Sequence, residues 1–345
     1  MVDFEAVVLY EHGGPEVLRR ERLPIDEPGP MEVRLAVRAV ALNHLDLWVR
    51  RGGPAFKLSY PHRLGADVAG VVDALGPGVT DLQIGQRVVV SPGLSCGVCR
   101  ACLSGRDNLC RHYGILGEHR SGGYGQLLVV PRRNIAPYPG ELSFPEAAAG
   151  LLTFLTAWQM LVEKAAVRPG ETVLVQGAGS GVGVAGVQIA RLFGARVIAT
   201  AGSPEKLERL RELGAEAVID YRSADFVAEV RKLTGKRGVD VVFEHVGGAT
   251  FEGSVRAVAS GGRIVTCGAT SGFEPKVDLR HIFFRQIAVL GSTMGSKGAL
   301  LEVLEHLAAG RLRPIVDRTM PLARAADAHR ALEAREAFGK IVLEV

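Results

Sequence analysis

The sequence predicts an α/β protein of two domains, a β-rich first domain followed by a doubly wound parallel sheet. Three observations lead there. Residues 1–145 are short β runs broken by Gly/Pro turns, the chain beyond 172 alternates strand-like and helix-like runs, and a glycine-rich turn joins the first such strand to its helix. With 345 residues, 47% of them hydrophobic and 23% charged, the chain is long enough to bury two cores.

The early β runs lie at 32–40, 68–72, 87–90 and 126–130, a spacing that suits a curled all-β domain. The pattern changes at Phe144-Pro145-Glu146, where Pro145 fits the first turn of a helix and a long apolar segment runs to Leu161. Strands are then expected at 172–176, 196–200, 217–219, 239–243, 263–266 and 287–290. Helices at 183–193 and 204–213 separate the first three, and such β-α-β alternation means a parallel sheet covered on both faces. From Gly291 mixed helix and strand return, and the terminal run 340–345 is a strand free to pair back onto the first domain.

Composition excludes several classes. A formal net charge of +4, with Lys and Arg scattered, gives no footprint for nucleic acid. The first ten residues lack the basic and apolar regions of a signal peptide, and no run nears the roughly 18 apolar residues of a membrane span. Five cysteines, four of them clustered, argue against a secreted disulfide framework and for reduced thiolates in a cytoplasmic protein.

The cluster is Cys96-Gly-Val-Cys99-Arg-Ala-Cys102, then Cys110, spaced C-x2-C-x2-C-x7-C. Four thiolates close a tetrahedral shell around one Zn²⁺, and a shell with no open position holds structure and activates no water. Gly177-Ala-Gly-Ser-Gly-Val-Gly183 lies between an expected strand and helix, the setting a dinucleotide-binding turn requires, although Ser180 stands where glycine is usual. The next strand ends Ala199-Thr-Ala-Gly202-Ser203-Pro-Glu-Lys206. No carboxylate at its tip meets a ribose 2′-hydroxyl, while Ser203 and Lys206 suit a 2′-phosphate, which favours NADP(H) over NAD(H). Glu205 is expected to face solvent.

The segment Gly65-Ala66-Asp67-Val-Ala-Gly70-Val-Val-Asp-Ala-Leu-Gly76-Pro-Gly-Val79 resembles the G-H-E-x2-G-x5-G-x2-V signature of zinc alcohol dehydrogenases, in the medium-chain dehydrogenase/reductase superfamily. The glycines and the valine match, but Ala66 replaces the ligand histidine and Asp67 the glutamate. The cysteine lobe, the Gly122-Gly-Tyr-Gly125 turn and the β-α-β half follow in that family's order. The resemblance implies a GroES-like β-rich catalytic domain (1–148 and 291–345, with a structural-zinc lobe at about 92–114) plus a doubly wound parallel Rossmann domain at 149–290. The family's other two catalytic-zinc ligands align with Asn43 and Ala149, and its proton-relaying hydroxyl with Leu45. Alanine cannot bind metal and an amide is a poor zinc ligand, so all three ligands are gone.

Asn43 followed by Asp46, Gly-Ala-Asp for Gly-His-Glu, and the Ser203/Lys206 pair instead resemble the quinone oxidoreductase branch, which works without catalytic zinc but generally lacks the cysteine lobe. The resemblance implies cofactor contacts at His44, Thr153, Gly179, Ser180, Gly181, Val182, Ser203, Lys206, Tyr221, Val246, Cys267 and Lys340. It leaves Asn43, Asp46 and Asp67 as the catalytic-site residues, Asn43 as a positioning group beside the nicotinamide and Asp67 in a structural role. Ordinary alternatives stand beside these. Cys267 suits a small buried filler, and His44, His62, His112 and His119, the alternative ligands of a rearranged zinc site with Asp46 or Asp67, suit surface or structural positions.

The expected protein is an NAD(P)H-dependent oxidoreductase with one structural zinc that reduces quinones or α,β-unsaturated carbonyls. The alternatives are an alcohol dehydrogenase with atypical zinc ligands and a non-catalytic NADPH-binding protein. A small carbonyl, quinone or alcohol is the expected substrate, and a homodimer or homotetramer through the strand near 287–290 the expected assembly, with no nucleic-acid or membrane partner.

Overall fold

The computed structural model describes residues 3–54 and 56–345, which form two compact units, one running to Leu152 and completed by Ser296–Val345, the other Thr153–Gly295. The chain opens with an antiparallel pair, β1 (Asp3–Val8) and β2 (Arg19–Pro24). Then come β3 (Glu32–Ala41), α1 (His44–Arg51), β4 (Asp67–Leu75) and β5 (Arg87–Val90). The cysteine lobe carries β6 (Gly93–Leu94), α2 (Arg100–Leu103) and β7 (Gly114–Ile115). After it lie β8 (Leu127–Pro131), β9 (Ile135–Pro137) and α3 (Phe144–Ala149).

The apolar segment expected to run to Leu161 is three pieces. α3 stops at Gly150, α4 (Leu152–Trp158) follows, and the end is a π-helical turn over Gln159–Lys164. α3 itself starts where its caps are: Ser143 Oγ accepts from Glu146 N–H while the Glu146 carboxylate returns to Ser143 N–H.

The second unit alternates β10 (Thr172–Val175), α5 (Gly181–Leu192), β11 (Arg196–Ala201), α6 (Pro204–Glu212), β12 (Ala217–Asp220) and α7 (Phe226–Leu233). It ends with β13 (Val239–Glu244), α8 (Phe251–Ala257), β14 (Val258–Thr266), α9 (Leu279–Phe284) and β15 (Ala288–Gly291). Among the described residues these six strands are all parallel, in the order β12-β11-β10-β13-β14-β15. The order reverses between β10 and β13, the switch point at which open α/β sheets bind dinucleotides. Leu174, Ile198, Val242 and Ile264 fill its core. β14 begins five residues earlier than its sequence pattern suggests. Gly261 and Gly262 break the apolar run, but an irregularity opposite Val239–Val241 absorbs them and keeps Val258 paired.

The chain then returns to the first unit with α10 (Lys297–Ala308), β16 (Val316–Pro321), α11 (Ala325–Glu333) and β17 (Lys340–Glu344). Among the described residues its main sheet runs β16-β17-β3-β4-β5-β9, with β8 on β3 as well. Alternation in β3 turns Val33, Leu35 and Val37 inward, against Val68, Val72, Val88 and Leu128. The terminal strand does pair back, Val342 opposite Ala41.

Candidate active site and metal centre

Three neighbouring strands of the first unit deliver three polar residues to one point. The register that pairs Ala41 with Val342, extended by Leu42 N–H to the Ile341 carbonyl, carries Asn43 opposite Lys340. On the other side Ala41 pairs with Asp67, the first residue of β4. The Lys340 ammonium donates to Asn43 Oδ1 at 2.6 Å and to Asp67 Oδ2 at 3.1 Å. Asn43 Nδ2 donates to Asp67 Oδ2 at 2.9 Å and weakly to the Ala41 carbonyl at 3.5 Å. The other Asp67 oxygen accepts Leu152 N–H at 2.8 Å, and Asp67 is fully buried. Ala66 and Ala149, where the resemblance puts two missing metal ligands, are buried as well and offer no donor atom.

Asp46 braces this cluster. Its carboxylate accepts the Asn43 N–H at 2.7 Å and the Gly65 N–H at 2.9 Å, tying the start of α1 to the turn before β4. Burial, partly offset by these N–H groups, pushes its pKa up to about 6. Tyr124 packs against Gly65, where a Cβ would meet its ring at 2.6 Å, and its hydroxyl lies 2.9 Å from His329 Nε2. Arg50 donates to His329 Nδ1 at 3.1 Å, to the Gly13 carbonyl and to Glu333. Desolvation, reinforced by Arg50, holds His329 down near a pKa of about 3, so it is neutral and its Nε2 hydrogen serves Tyr124. His44 begins α1 with its ring 6.4 Å from that of Trp48.

The four lobe cysteines bring their sulfurs within 4.8 Å of one another, with Cys99–Cys102 and Cys96–Cys110 at 3.5 Å and Cys96–Cys102 at 3.9 Å. Sulfurs about 2.3 Å from a tetrahedral Zn²⁺ are about 3.8 Å apart, so the set fits that ion. Backbone N–H groups of Val98 and Cys99 lower the Cys96 thiol to about 6, toward the thiolate a metal needs. Among the described residues no other group of His, Cys, Asp or Glu converges this way, and His44, His62, His112 and His119 are not drawn into a cluster. His62 instead bonds the Gly117 carbonyl at 3.0 Å. The lobe is fastened to α10 by Lys297, whose ammonium reaches Asp107, Ser95 Oγ and the Gly93 carbonyl at 2.9–3.0 Å.

In the second unit the turn after β10 has a dinucleotide-binding shape. Gly177 has φ +54°, and a Cβ on Gly183 would lie 2.7 Å from Ala178 Cα, so both positions call for glycine. Gly179 completes the turn and Ser180 caps α5, its hydroxyl accepting from Gly183 N–H, while Gly181 and Val182 form the first helical turn. The helix N-terminus offers N–H groups and a favourable dipole to a phosphate. Val246 packs on Gly177, as does His245, a residue the motif reading missed. His245 lies at the switch point with Nε2 3.5 Å from Ser180 Oγ, and desolvation lowers its pKa. Position at the C-terminal end of β13 was the one available signal.

Beneath the turn runs a buried hydrogen-bond chain. Gly177 N–H donates to Thr200 Oγ1 and Thr200 to Gln176 Oε1; Gln176 Nε2 donates to Ser254 Oγ and Ser254 to Glu244. Glu244 also accepts the N–H groups of Val246 and Gly247 and so fixes the loop that carries Val246. At the tip of β11, Ser203 caps α6 by accepting Lys206 N–H, and the Tyr221 hydroxyl crosses Gly202, 2.5 Å from where a Cβ would be. Glu205 is exposed. Thr153 is buried in α4, and desolvation followed by the charge of Glu244 pushes the Cys267 thiol up to about 12, which makes it a poor nucleophile. No helix among the described residues is long and apolar enough to cross a membrane.

Two family models match, the alcohol dehydrogenase GroES-like domain over residues 29–140 and the zinc-binding dehydrogenase over 181–309. The quinone oxidoreductase of Homo sapiens is 28% identical over 98% of this chain and 97% of its own. A 2-haloacrylate reductase of a Burkholderia species is 32% identical over 98% of each chain. A solved structure described as an NAD-dependent alcohol dehydrogenase is 56% identical, with a TM-score of 0.96 and 99% of both chains covered. A GroES-like domain, a Rossmann-type parallel sheet and relatives matched from end to end lead to one conclusion: the chain belongs to the medium-chain dehydrogenase/reductase superfamily and is an NAD(P)-dependent oxidoreductase.

Proposed function

We propose that this protein is a cytoplasmic, NADPH-preferring reductase of quinones or α,β-unsaturated carbonyls that works without a catalytic zinc and carries one structural zinc in its cysteine lobe. One observation carries the reading: at the positions of a working metal the chain has buried Ala66 and Ala149, and the Asn43 amide there is taken up by Asp67 and Lys340. A nicotinamide cofactor would supply the hydride. Without a Lewis acid, a plain ketone would leave a poorly stabilised alkoxide, whereas a quinone or conjugated carbonyl spreads the accepted charge. The relative named 2-haloacrylate reductase has an activated alkene as its named substrate, which agrees with this preference.

In this reading the GroES-like part, with its lobe at about 92–114, is the catalytic domain and the Rossmann part binds the cofactor. The Gly179–Val182 turn receives the pyrophosphate, Tyr221 the adenosine, and Ser203 with Lys206 the 2′-phosphate. Thr153, Val246 and Cys267 line the nicotinamide half, and His44 is a second basic group for the phosphates. Self-association through β15 is favoured because this edge strand exposes Val289 and lies beside exposed Phe283 and Phe284. The second reading, NAD-dependent oxidation of alcohols, is favoured by the description of the 56% identical structure.

The test is steady-state reduction of quinones and enones with NADPH and NADH, beside alcohol oxidation with NAD⁺. Wild type should turn over an activated substrate with NADPH, and Lys206→Glu should lower kcat/KM for NADPH by about tenfold or more while sparing NADH. Turnover of alcohols alone would hand the account to the second reading.

A further inference from the structure

Lys340 is a charged side chain only 4% exposed, and the resemblance that assigned it to cofactor phosphates does not explain its partners. We propose that the Lys340 ammonium stabilises the negative charge that reduction leaves on the substrate oxygen, the task a metal performs in zinc-dependent relatives. This rests on the metal-free reductase reading and names its electrophile.

An ammonium has three donors, and Asn43 Oδ1 and Asp67 Oδ2 take two of them. The third has no protein partner among the described residues. The Asn43 amide is in the opposite position, with one hydrogen on Asp67 and the other turned toward the Ala41 carbonyl. Asn43 therefore holds Lys340 and Asp67 in place, and its remaining hydrogen is directed, weakly, at the backbone. Asp67 accepts Leu152 N–H, Asn43 and Lys340, and Asp46 accepts two backbone N–H groups, so both carboxylates are engaged as braces. The other buried cations in this unit are held elsewhere, Arg50 on Gly13, His329 and Glu333 and Arg63 on the Leu127 carbonyl and the Phe4 ring, and neither bonds Asn43 or Asp67. Lys340 is thus the buried cation that sits on the Asn43–Asp67 pair with a hydrogen still to give.

The chemistry matches. When a conjugated carbonyl accepts hydride at carbon, an electron pair comes to rest on oxygen. A cation fixed by two partners and screened from water stabilises that charge far better than solvent does, with no reorganisation as it develops. Asp67 sets the height of the ammonium and keeps the resting site near neutrality.

The experiment compares wild type, Lys340→Met, Lys340→Arg and the double variant Asp67→Asn/Lys340→Met, all full length. The double variant removes both charges together, so no orphaned carboxylate prevents folding. Three quantities are read: kcat and KM for an enone, NADPH Kd by fluorescence titration without substrate, and Tm. We expect the double variant to fold, bind NADPH within about twofold of wild type and lose about 100-fold in kcat, the usual cost of one oxyanion donor. Lys340→Arg should keep a substantial part of kcat. A double variant with near-wild-type kcat overturns the proposal. So does a loss confined to NADPH Kd, which would make Lys340 a phosphate ligand, or an arginine variant as damaged as the methionine one. Wild type inactive on every quinone and enone would sink the underlying reading, and this inference with it.

Discussion

At Asp46 a buried carboxylate is held by two backbone N–H groups, and burial raises its pKa from the ordinary 3.8 to about 6. The native state therefore binds this proton more tightly than the unfolded chain does. The stability so gained is complete below about pH 4 and is lost as pH rises through about 6. Asp46→Asn has no such proton, so the stability difference, wild type minus variant, should fall as pH rises across that window. Chemical denaturation at several pH values checks this, and a flat difference would show that Asp46 does not titrate there. His329 is a different case, since its neutral form is fixed by Arg50 on one nitrogen and Tyr124 on the other. Tyr124→Phe strands the Nε2 hydrogen, and the loss of stability should be about 1–3 kcal/mol, read from the denaturation midpoint.

Among the elements, the cysteine lobe is attached to the fold through a side chain at the start of α10. Lys297 reaches Asp107, Ser95 and Gly93, all within or beside the lobe. Lys297→Met should free the lobe and speed the transfer of zinc to a chelator, measured with a chromogenic acceptor; an unchanged rate would mean the four sulfurs hold the lobe unaided. Most strands were legible from sequence because alternation and turn residues are local signals. The strands at 87–90 and 172–175 fall within a residue of where the pattern puts them. β14 was cut short because Gly261 and Gly262 interrupt its pattern, and only pairing with β13 restores it. The site was legible where spacing carries it, as in the cysteines and the glycine turn. It was not legible where it depends on partners remote in the chain. Lys340 was legible only through the resemblance, as a cofactor contact, and its bonds to Asn43 and Asp67, residues far earlier in the chain, have no local signal. The Thr200–Gln176–Ser254–Glu244 chain joins four parts of the second unit in the same way, and no local pattern marks it.

For the whole molecule, the two halves of the zinc chemistry have separated. The lobe retains a complete sulfur shell whose geometry suits a closed, structural ion. The cluster at Asn43, Asp67 and Lys340 has an ammonium of the protein's own among its polar groups, next to alanines that cannot bind metal. In the proposed reading such a protein would rely on a substrate that delocalises charge, which links the missing ligands to the proposed quinone and enone specificity. The most direct test is the zinc content of protein purified without added metal, by elemental analysis per chain. The account predicts about one zinc, released when Cys96 or Cys110 is replaced by serine. About two zincs per chain, with activity lost as the second is removed, would contradict it and return the protein to the zinc-dependent alcohol dehydrogenases.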